Sequence, residues 1–308
     1  MTVGYLGPEG TFTETAARLL TGGQGELRPF VDITETLLAV SSGEVPRAVV
    51  PIENTLEGSV TATLDALAFE LDLLIEGELE IPVTLHLVTR EAVPDAAVAA
   101  VHSHPVALAA CRRYLADNLP GIERVPTAST AKAAAQVAET QEPLAAIVNP
   151  LAAERYGLHV VARNIADHPG NQTRFVVVGT TLPRPTGWDK TSIVTFIQTN
   201  EPGALLQLLE IFAERDLNLT KIESRPTKAE LGDYCFFLDV EGHIADERVG
   251  DALAAVKRTQ RDVKILGSYR RSGARQTAEA DRIAKDDRAY RDAASWLADW
   301  RAKVTDQS

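Results

Sequence analysis

The sequence predicts an α/β protein made of a two-lobed α/β unit followed by a smaller unit with the ferredoxin-like βαββαβ pattern. Three observations carry this expectation. Short β-rich runs alternate with helix-period segments over the first 180 residues, a break bearing two prolines and a glycine follows at TLPRPTGWDK (181–190), and the runs beyond it are ordered strand, helix, strand, strand, helix, strand. The expected divisions are 1–180, 191–271 and a helical extension over 272–308.

VGYLG (3–7) reads as a strand running into Pro8, Glu9 and Gly10, and Thr11 with Glu14 three residues on forms a capping box that opens the helix TFTETAARLL. Asp32 and Glu35 repeat the pattern before ITETLLAV, and Gly43 stands where that helix would stop. RAVVPIEN (47–54) reads as a strand ending in a polar loop, and SVTATLDALAFE (59–70) as a helix capped by Ser59. From about residue 82 the alternation restarts: VTLHLVT and AAVHSHP, the helices VALAACRRYLADN and STAKAAAQVAE, the strand LAAIVN, and HPGNQTRFVVVG (168–179) closing with a strand. Two such rounds imply two lobes on largely parallel sheets. Their cleft would lie where strand ends and helix N-termini gather.

Beyond the break, SIVTFIQ, ALLQLLEIFAE, LNLTKIES, YCFFLDVE, DERVGDALAAVKRTQ and VKILGSYR supply the six elements of the second unit. In the extension, Ile283, Tyr290, Leu297 and Val304 fall seven apart, with Ala293 and Trp300 on the neighbouring line, so a docked amphipathic helix is expected.

Composition narrows the function classes. Hydrophobic residues make up 45% and charged residues 24% of the 308, as in an ordinary globular protein. Lysine and arginine number 31 against 43 acidic residues, a net charge of −12 that argues against nucleic-acid or anionic-membrane partners. The opening MTVGYLGPEG has no basic segment followed by an apolar stretch, and no run reaches the roughly 18 apolar residues of a membrane span, so a cytoplasmic protein is expected. Cys111 and Cys235 have no metal-site spacing and read as buried apolar residues. TGGQG (21–25) lacks the lysine of a phosphate-binding loop. His86 alternates with leucines as a core histidine would, and His102 and His104 precede Pro105 at a helix start.

Three polar segments remain, and each has two readings. Asn171 to Phe175, Pro51 to Ser59, and Ser129 to Ala131 could be a turn, a loop and a helix cap, or they could converge on a cleft in which helix N-termini receive carboxylates.

GPEGTFT (7–13), PIENTLEGSV (51–60), SHP (103–105), STA (129–131) and NQTRF (171–175) occur in the order and approximate spacing of prephenate dehydratases, and the chain resembles that family from residue 1 to about 270. Asn200-Glu201-Pro202-Gly203-Ala204-Leu205-Leu206 and Glu223-Ser224-Arg225-Pro226 resemble the GAL and ESRP motifs of its ACT regulatory domain. Thr55 stands where many relatives carry serine, and the family offers no role for the extension. The resemblance implies a periplasmic-binding-protein-like catalytic domain, conversion of prephenate to phenylpyruvate, feedback by L-phenylalanine, and a homodimer or homotetramer. It implies Thr173 as the catalytic residue, Asn54, Thr55, Glu57, Ser129, Thr130, Gln172, Arg174 and Phe175 around the substrate, and Asn200, Gly203, Ala204, Leu205, Leu206, Glu223, Ser224, Arg225 and Pro226 around the effector. Loss of CO2 and water makes the substrate's ring aromatic, so neither metal nor cofactor is expected. Threonine is too weak an acid to donate a proton freely, which leaves it a hydrogen-bonding or relay role, with Glu57 the candidate proton source. Arogenate dehydratase and a non-catalytic two-lobed sensor are the alternatives.

Overall fold

The computed structural model describes residues 2–92, 98–228, 233–273 and 277–303, without side chains for 277–286. The chain forms two compact units, Met1–Asp72 with Leu79–Thr180 and Leu73–Glu78 with Thr181–Ser308. No helix among the described residues is long and apolar enough to cross a membrane.

The first unit contains two sheets, one per lobe. In the first lobe β1 (Thr2–Leu6) pairs in parallel with β2 (Glu26–Phe30) and β3 (Ala48–Asn54), and β11 (Gln172–Gly179) returns antiparallel to β3. In the second lobe the order is β10 (His159–Ala162), β6 (His86–Thr89), β9 (Leu144–Val148), β7 (Ala100–Ser103), β8 (Glu123–Pro126). Strands β7, β8 and β9 are parallel, while β6 runs antiparallel to both β9 and β10. Among these strands each sheet is thus largely parallel with one reversed strand, β11 in the first lobe and β6 in the second.

Local signals set the helix starts that matter for the site. Thr11 caps α1 (Phe12–Thr21) by accepting the Glu14 N–H at 3.3 Å, Asp32 caps α2 (Ile33–Ser41) by accepting the Glu35 N–H at 2.7 Å, and Ser129 caps α6 (Thr130–Glu139) by accepting the Lys132 N–H at 3.0 Å. Ser59 does not cap the following helix. Gly58 and Ser59 instead form β4, paired back onto Asn54 and Glu53, and α3 (Thr61–Asp65) starts after Val60 and passes into a π-helical turn over Ala66–Glu70. The single helix expected over 106–118 is two, α4 (Pro105–Ala110) and α5 (Arg112–Asn118), broken at Cys111. Cys111 and Cys235 are buried free thiols, and burial pushes the Cys111 thiol up to about 12. His86 is a buried core residue whose Nδ1 accepts the Asn164 N–H at 3.1 Å.

The second unit has the βαββαβ order: β12 (Asp189–Phe196), α8 (Ala204–Ala213), β13 (Leu219–Pro226), β14 (Tyr234–Glu241), α9 (Glu247–Thr259) and β15 (Asp262–Arg270). Its antiparallel sheet is ordered β13, β14, β12, β15, and the first half of β5 (Leu74–Pro82) adds a parallel neighbour through Ile75 beside Gly267. Leu208 and Phe212 of α8 and Leu253 and Val256 of α9 close a core against Ile193, Phe236 and Leu238 on one face of the sheet.

The extension is helical over Thr277–Arg301 as α10. It packs on α9 near its start, where buried Asp287 reaches Arg248 at 3.8 Å and Tyr290 and Ala294 lie beside Ala245 and Gly250. Docking stops there: Leu297 is 41% exposed and Trp300 54%, so the expected apolar line is covered only along part of its length. The Ile283 side chain and Val304 lie outside the described residues.

Candidate active site

The GPEGTFT segment places the N-terminus of α1 at the edge of the first lobe, and STAK places that of α6 at the edge of the second. Between them, within the first unit, lies a cleft of about 490 Å³. Its walls are largely apolar, from Leu6, Phe12, Val83, Leu85, Val106 and Phe175. Polar groups enter from Thr11, Thr13, Asn54, His104, Ser129, Thr130, Lys132, Asn171 and Thr173. None of the described lining residues is Asp or Glu.

Asn54 and Thr173 face each other where β3 and β11 pair. The Asn54 amide donates from Nδ2 to Thr173 Oγ1 at 2.9 Å, to Asn171 Oδ1 at 3.0 Å and to the Gln172 carbonyl at 3.1 Å. Its Oδ1 accepts the N–H groups of Leu56 and Glu57 at 3.0 and 3.1 Å, which ties the loop after β3 to the same side chain. The Thr173 oxygen is thus an acceptor within the protein. Among the described residues no acceptor takes its own proton, which leaves that proton to a ligand.

Five of the expected substrate-side residues line the cleft: Asn54, Ser129, Thr130, Thr173 and Phe175. Four do not. Side chains alternate along β11, so Thr173 and Phe175 turn into the cleft while Gln172 and Arg174 turn away, and buried Arg174 pairs across the strands with Glu53 at 3.4 Å. The Thr55 hydroxyl donates to the Gln172 carbonyl at 3.0 Å and accepts the Gln172 N–H at 3.1 Å, latching the loop to β11. Glu57 is exposed on that loop and lies outside the described lining.

Several lining residues were not expected. Thr11, Phe12 and Thr13 follow from the capping box at Thr11, since the first turn of a capped helix faces wherever its cap does. Lys132 follows from Ser129 in the same way. The lobes are also joined beside the cleft. Asn149 of the second lobe, which caps α7 (Pro150–Arg155), donates from Nδ2 to the Gly10 carbonyl at 2.9 Å, and Arg155 pairs with Glu9 and, at 3.2 Å, with Glu14. Buried Glu14 in turn accepts the Gly10 N–H at 2.5 Å.

In the second unit Gly203 (φ +94°) opens α8, a left-handed position that suits glycine. Asn200, Gly203, Leu205, Leu206, Ser224 and Pro226 are exposed, and Ala204 is half-buried. Alternation divides the ESRP segment. Ser224 is paired with Phe236 on the helix-covered face, whereas Glu223 is paired with Phe237 on the other face and forms ion pairs with Lys221 at 3.3 Å and Arg225 at 3.7 Å. Glu223 and Ser224, which the resemblance puts together around the effector, therefore point to opposite faces of the sheet, because neighbouring residues of a strand alternate.

A family model for prephenate dehydratase matches residues 3–182, and one for the ACT domain matches residues 191–258. The chain belongs to the prephenate dehydratase family. The prephenate dehydratase of Amycolatopsis methanolica is 44% identical over 300 residues, covering 96% of each chain. A crystal structure of the prephenate dehydratase from Arthrobacter aurescens in complex with L-Phe superposes with a TM-score of 0.87 at 38% identity, covering 98% of this chain and 100% of that one. A structure described as GqqA, a novel type of quorum quenching acylase, has a TM-score of 0.79 at 30% identity over 88% of this chain and 98% of its own.

Proposed function

We infer that the chain is a prephenate dehydratase, a lyase that converts prephenate to phenylpyruvate, CO2 and water, and that L-phenylalanine regulates it. The observation that carries the catalytic reading is the hydrogen bond from Asn54 to Thr173 at 2.9 Å in a cleft whose described lining holds no carboxylate. In prephenate the bond from ring to carboxylate breaks, its electron pair enters the ring, and the hydroxyl across the ring departs with the electrons of its C–O bond. Charge appears on the departing oxygen only in the transition state. A donor fixed toward it lowers the barrier without stabilising the ground state. Thr173, with its oxygen already occupied by Asn54, offers that donor, and a proton relayed through the hydroxyl from solvent completes the water. Phe175 and the neighbouring apolar wall suit the aromatic ring that forms, and the N-termini of α1 and α6 suit a dianion.

Arogenate carries an ammonium group where prephenate has a keto oxygen, and the described lining supplies no carboxylate to receive it. That favours prephenate. An acylase would need an activated nucleophile, whereas the Thr173 hydroxyl accepts a hydrogen bond from an amide and meets no base among the described residues. A purified sample given prephenate, arogenate or an N-acyl amide separates the three readings. Phenylpyruvate from prephenate, seen by its absorbance in alkali, is the expected product, and its absence would refute the assignment.

The L-Phe in the Arthrobacter structure supports feedback at the ACT unit. The proposed division is a catalytic domain over 1–180, a regulatory domain over 191–271 and an extension over 272–308. Asn200, Gly203, Ala204, Leu205, Leu206, Ser224 and Pro226 are the effector residues in this reading, in which the effector carboxylate sits at the start of α8. The exposed Leu206, Ile222 and Tyr234 support a homodimer or homotetramer.

A further inference from the structure

We propose that Lys132 is the cation that holds the pyruvyl carboxylate of prephenate, and that its charge makes the cleft choose the keto acid over the corresponding amino acid. This rests on the dehydratase reading and deepens it. Prephenate brings two carboxylates to a chain of net charge −12, so its binding needs a local positive group. Arg174, the arginine of the TRF segment, cannot be that group, because it turns away from the cleft and is held by Glu53 at 3.4 Å. Among the described lining residues Lys132 is the one with a permanent positive charge. It is exposed and pairs with no carboxylate among the described residues. Lys190, by contrast, is buried against Glu78 at 3.0 Å.

The placement of Lys132 runs against its own helix. It stands in the first turn of α6, three residues after the Ser129 cap, where the helix dipole disfavours a cation and no acidic residue offsets it. A bound carboxylate reverses that balance. It would meet the ammonium group, the Ser129 and Thr130 side chains and the positive end of α6 together.

The chemistry decides which carboxylate this is. A cation clamped on the ring carboxylate would stabilise charge that must disappear as CO2 leaves, raising the barrier. The pyruvyl carboxylate survives unchanged into phenylpyruvate, so an ion pair with it binds substrate and transition state alike. Such an interaction appears in KM and leaves kcat nearly untouched. The same cation repels the α-ammonium group of arogenate.

Lys132→Met, Lys132→Arg and Lys132→Glu should be assayed with prephenate and arogenate beside the wild type and Thr173→Ala. Lys132→Met is expected to raise KM for prephenate by about tenfold to a hundredfold, the range for losing a charge-assisted hydrogen bond, with kcat within about threefold. Calorimetry with phenylpyruvate should show a matching loss of affinity. Lys132→Arg should recover most of the loss, and Lys132→Glu should move the ratio of kcat/KM values toward arogenate. An unchanged KM, or a loss confined to kcat, overturns the proposal while an active wild type keeps the dehydratase reading intact. A wild type without turnover would sink that reading and this proposal with it.

Discussion

Asn54→Asp replaces a hydrogen-bond donor with an acceptor of almost the same shape. The loop after β3 should survive, because the substituted carboxylate can still accept the Leu56 and Glu57 N–H groups that now reach Oδ1 at 3.0 and 3.1 Å. The other end of the side chain faces three acceptors, Thr173 Oγ1, Asn171 Oδ1 and the Gln172 carbonyl, at 2.9, 3.0 and 3.1 Å. Against a carboxylate the Thr173 hydroxyl can satisfy itself only by rotating to donate to it. That withdraws the proton from the departing hydroxide, and the expected loss of kcat matches that for removing one transition-state donor, about a hundredfold to a thousandfold. The Gln172 carbonyl keeps the Thr55 N–H at 2.9 Å and the Thr55 hydroxyl at 3.0 Å, and the Asn171 amide can turn over to donate to the new carboxylate, so the expected loss of stability is no more than about 1 kcal/mol. Asn54→Ala removes the donor without capturing the proton, so it should cost less activity than Asn54→Asp. Steady-state phenylpyruvate formation by Asn54→Asp, Thr173→Ala and the double variant forms a cycle in which the double variant should be little worse than Thr173→Ala alone. Two results would refute the reasoning: kcat of Asn54→Asp within about threefold of wild type, or effects that simply multiply.

Two further changes probe the second unit. A Cβ at Gly267 would lie 2.7 Å from Ile75 Cβ and 2.9 Å from Ile75 N, backbone that cannot swing aside, so Gly267→Ala should cost about 1–3 kcal/mol and lower the melting temperature by several degrees; an unchanged melting curve would contradict the close approach of β15 and β5. Gly203→Val places a branched side chain at φ +94° on the start of α8 and should weaken phenylalanine binding and relieve inhibition, with turnover in the absence of phenylalanine within about twofold of wild type; calorimetry showing full affinity would remove this helix start from the effector site.

What the sequence made legible was local. Thr11, Asp32 and Ser129 announce helix starts through side chains that bond backbone groups three residues away, and those caps aim α1 and α6 at the cleft. Strand alternation was legible too. It separates Thr173 from Arg174 and Ser224 from Glu223, and reading each motif as one surface obscured it. The serine at position 59 has the chemistry of a cap, but pairing with Glu53 drew it into β4, a contact no local pattern encodes. The same holds for Asn149 on Gly10 and Arg155 on Glu14, which join residues about 140 positions apart. That none of the described lining residues is a carboxylate is likewise a property of which side chains meet, so the proposed preference for prephenate over arogenate has no counterpart in the linear sequence.

The hydroxyl of Thr173 is the centre of the account, and its most direct test is the turnover of prephenate by purified wild type and Thr173→Ala at saturating substrate. Phenylpyruvate should form with the wild type, and kcat should fall by about a hundredfold to a thousandfold in the variant while the melting temperature and the affinity for phenylalanine stay the same. A variant that turns over prephenate at close to the wild-type rate would contradict the account.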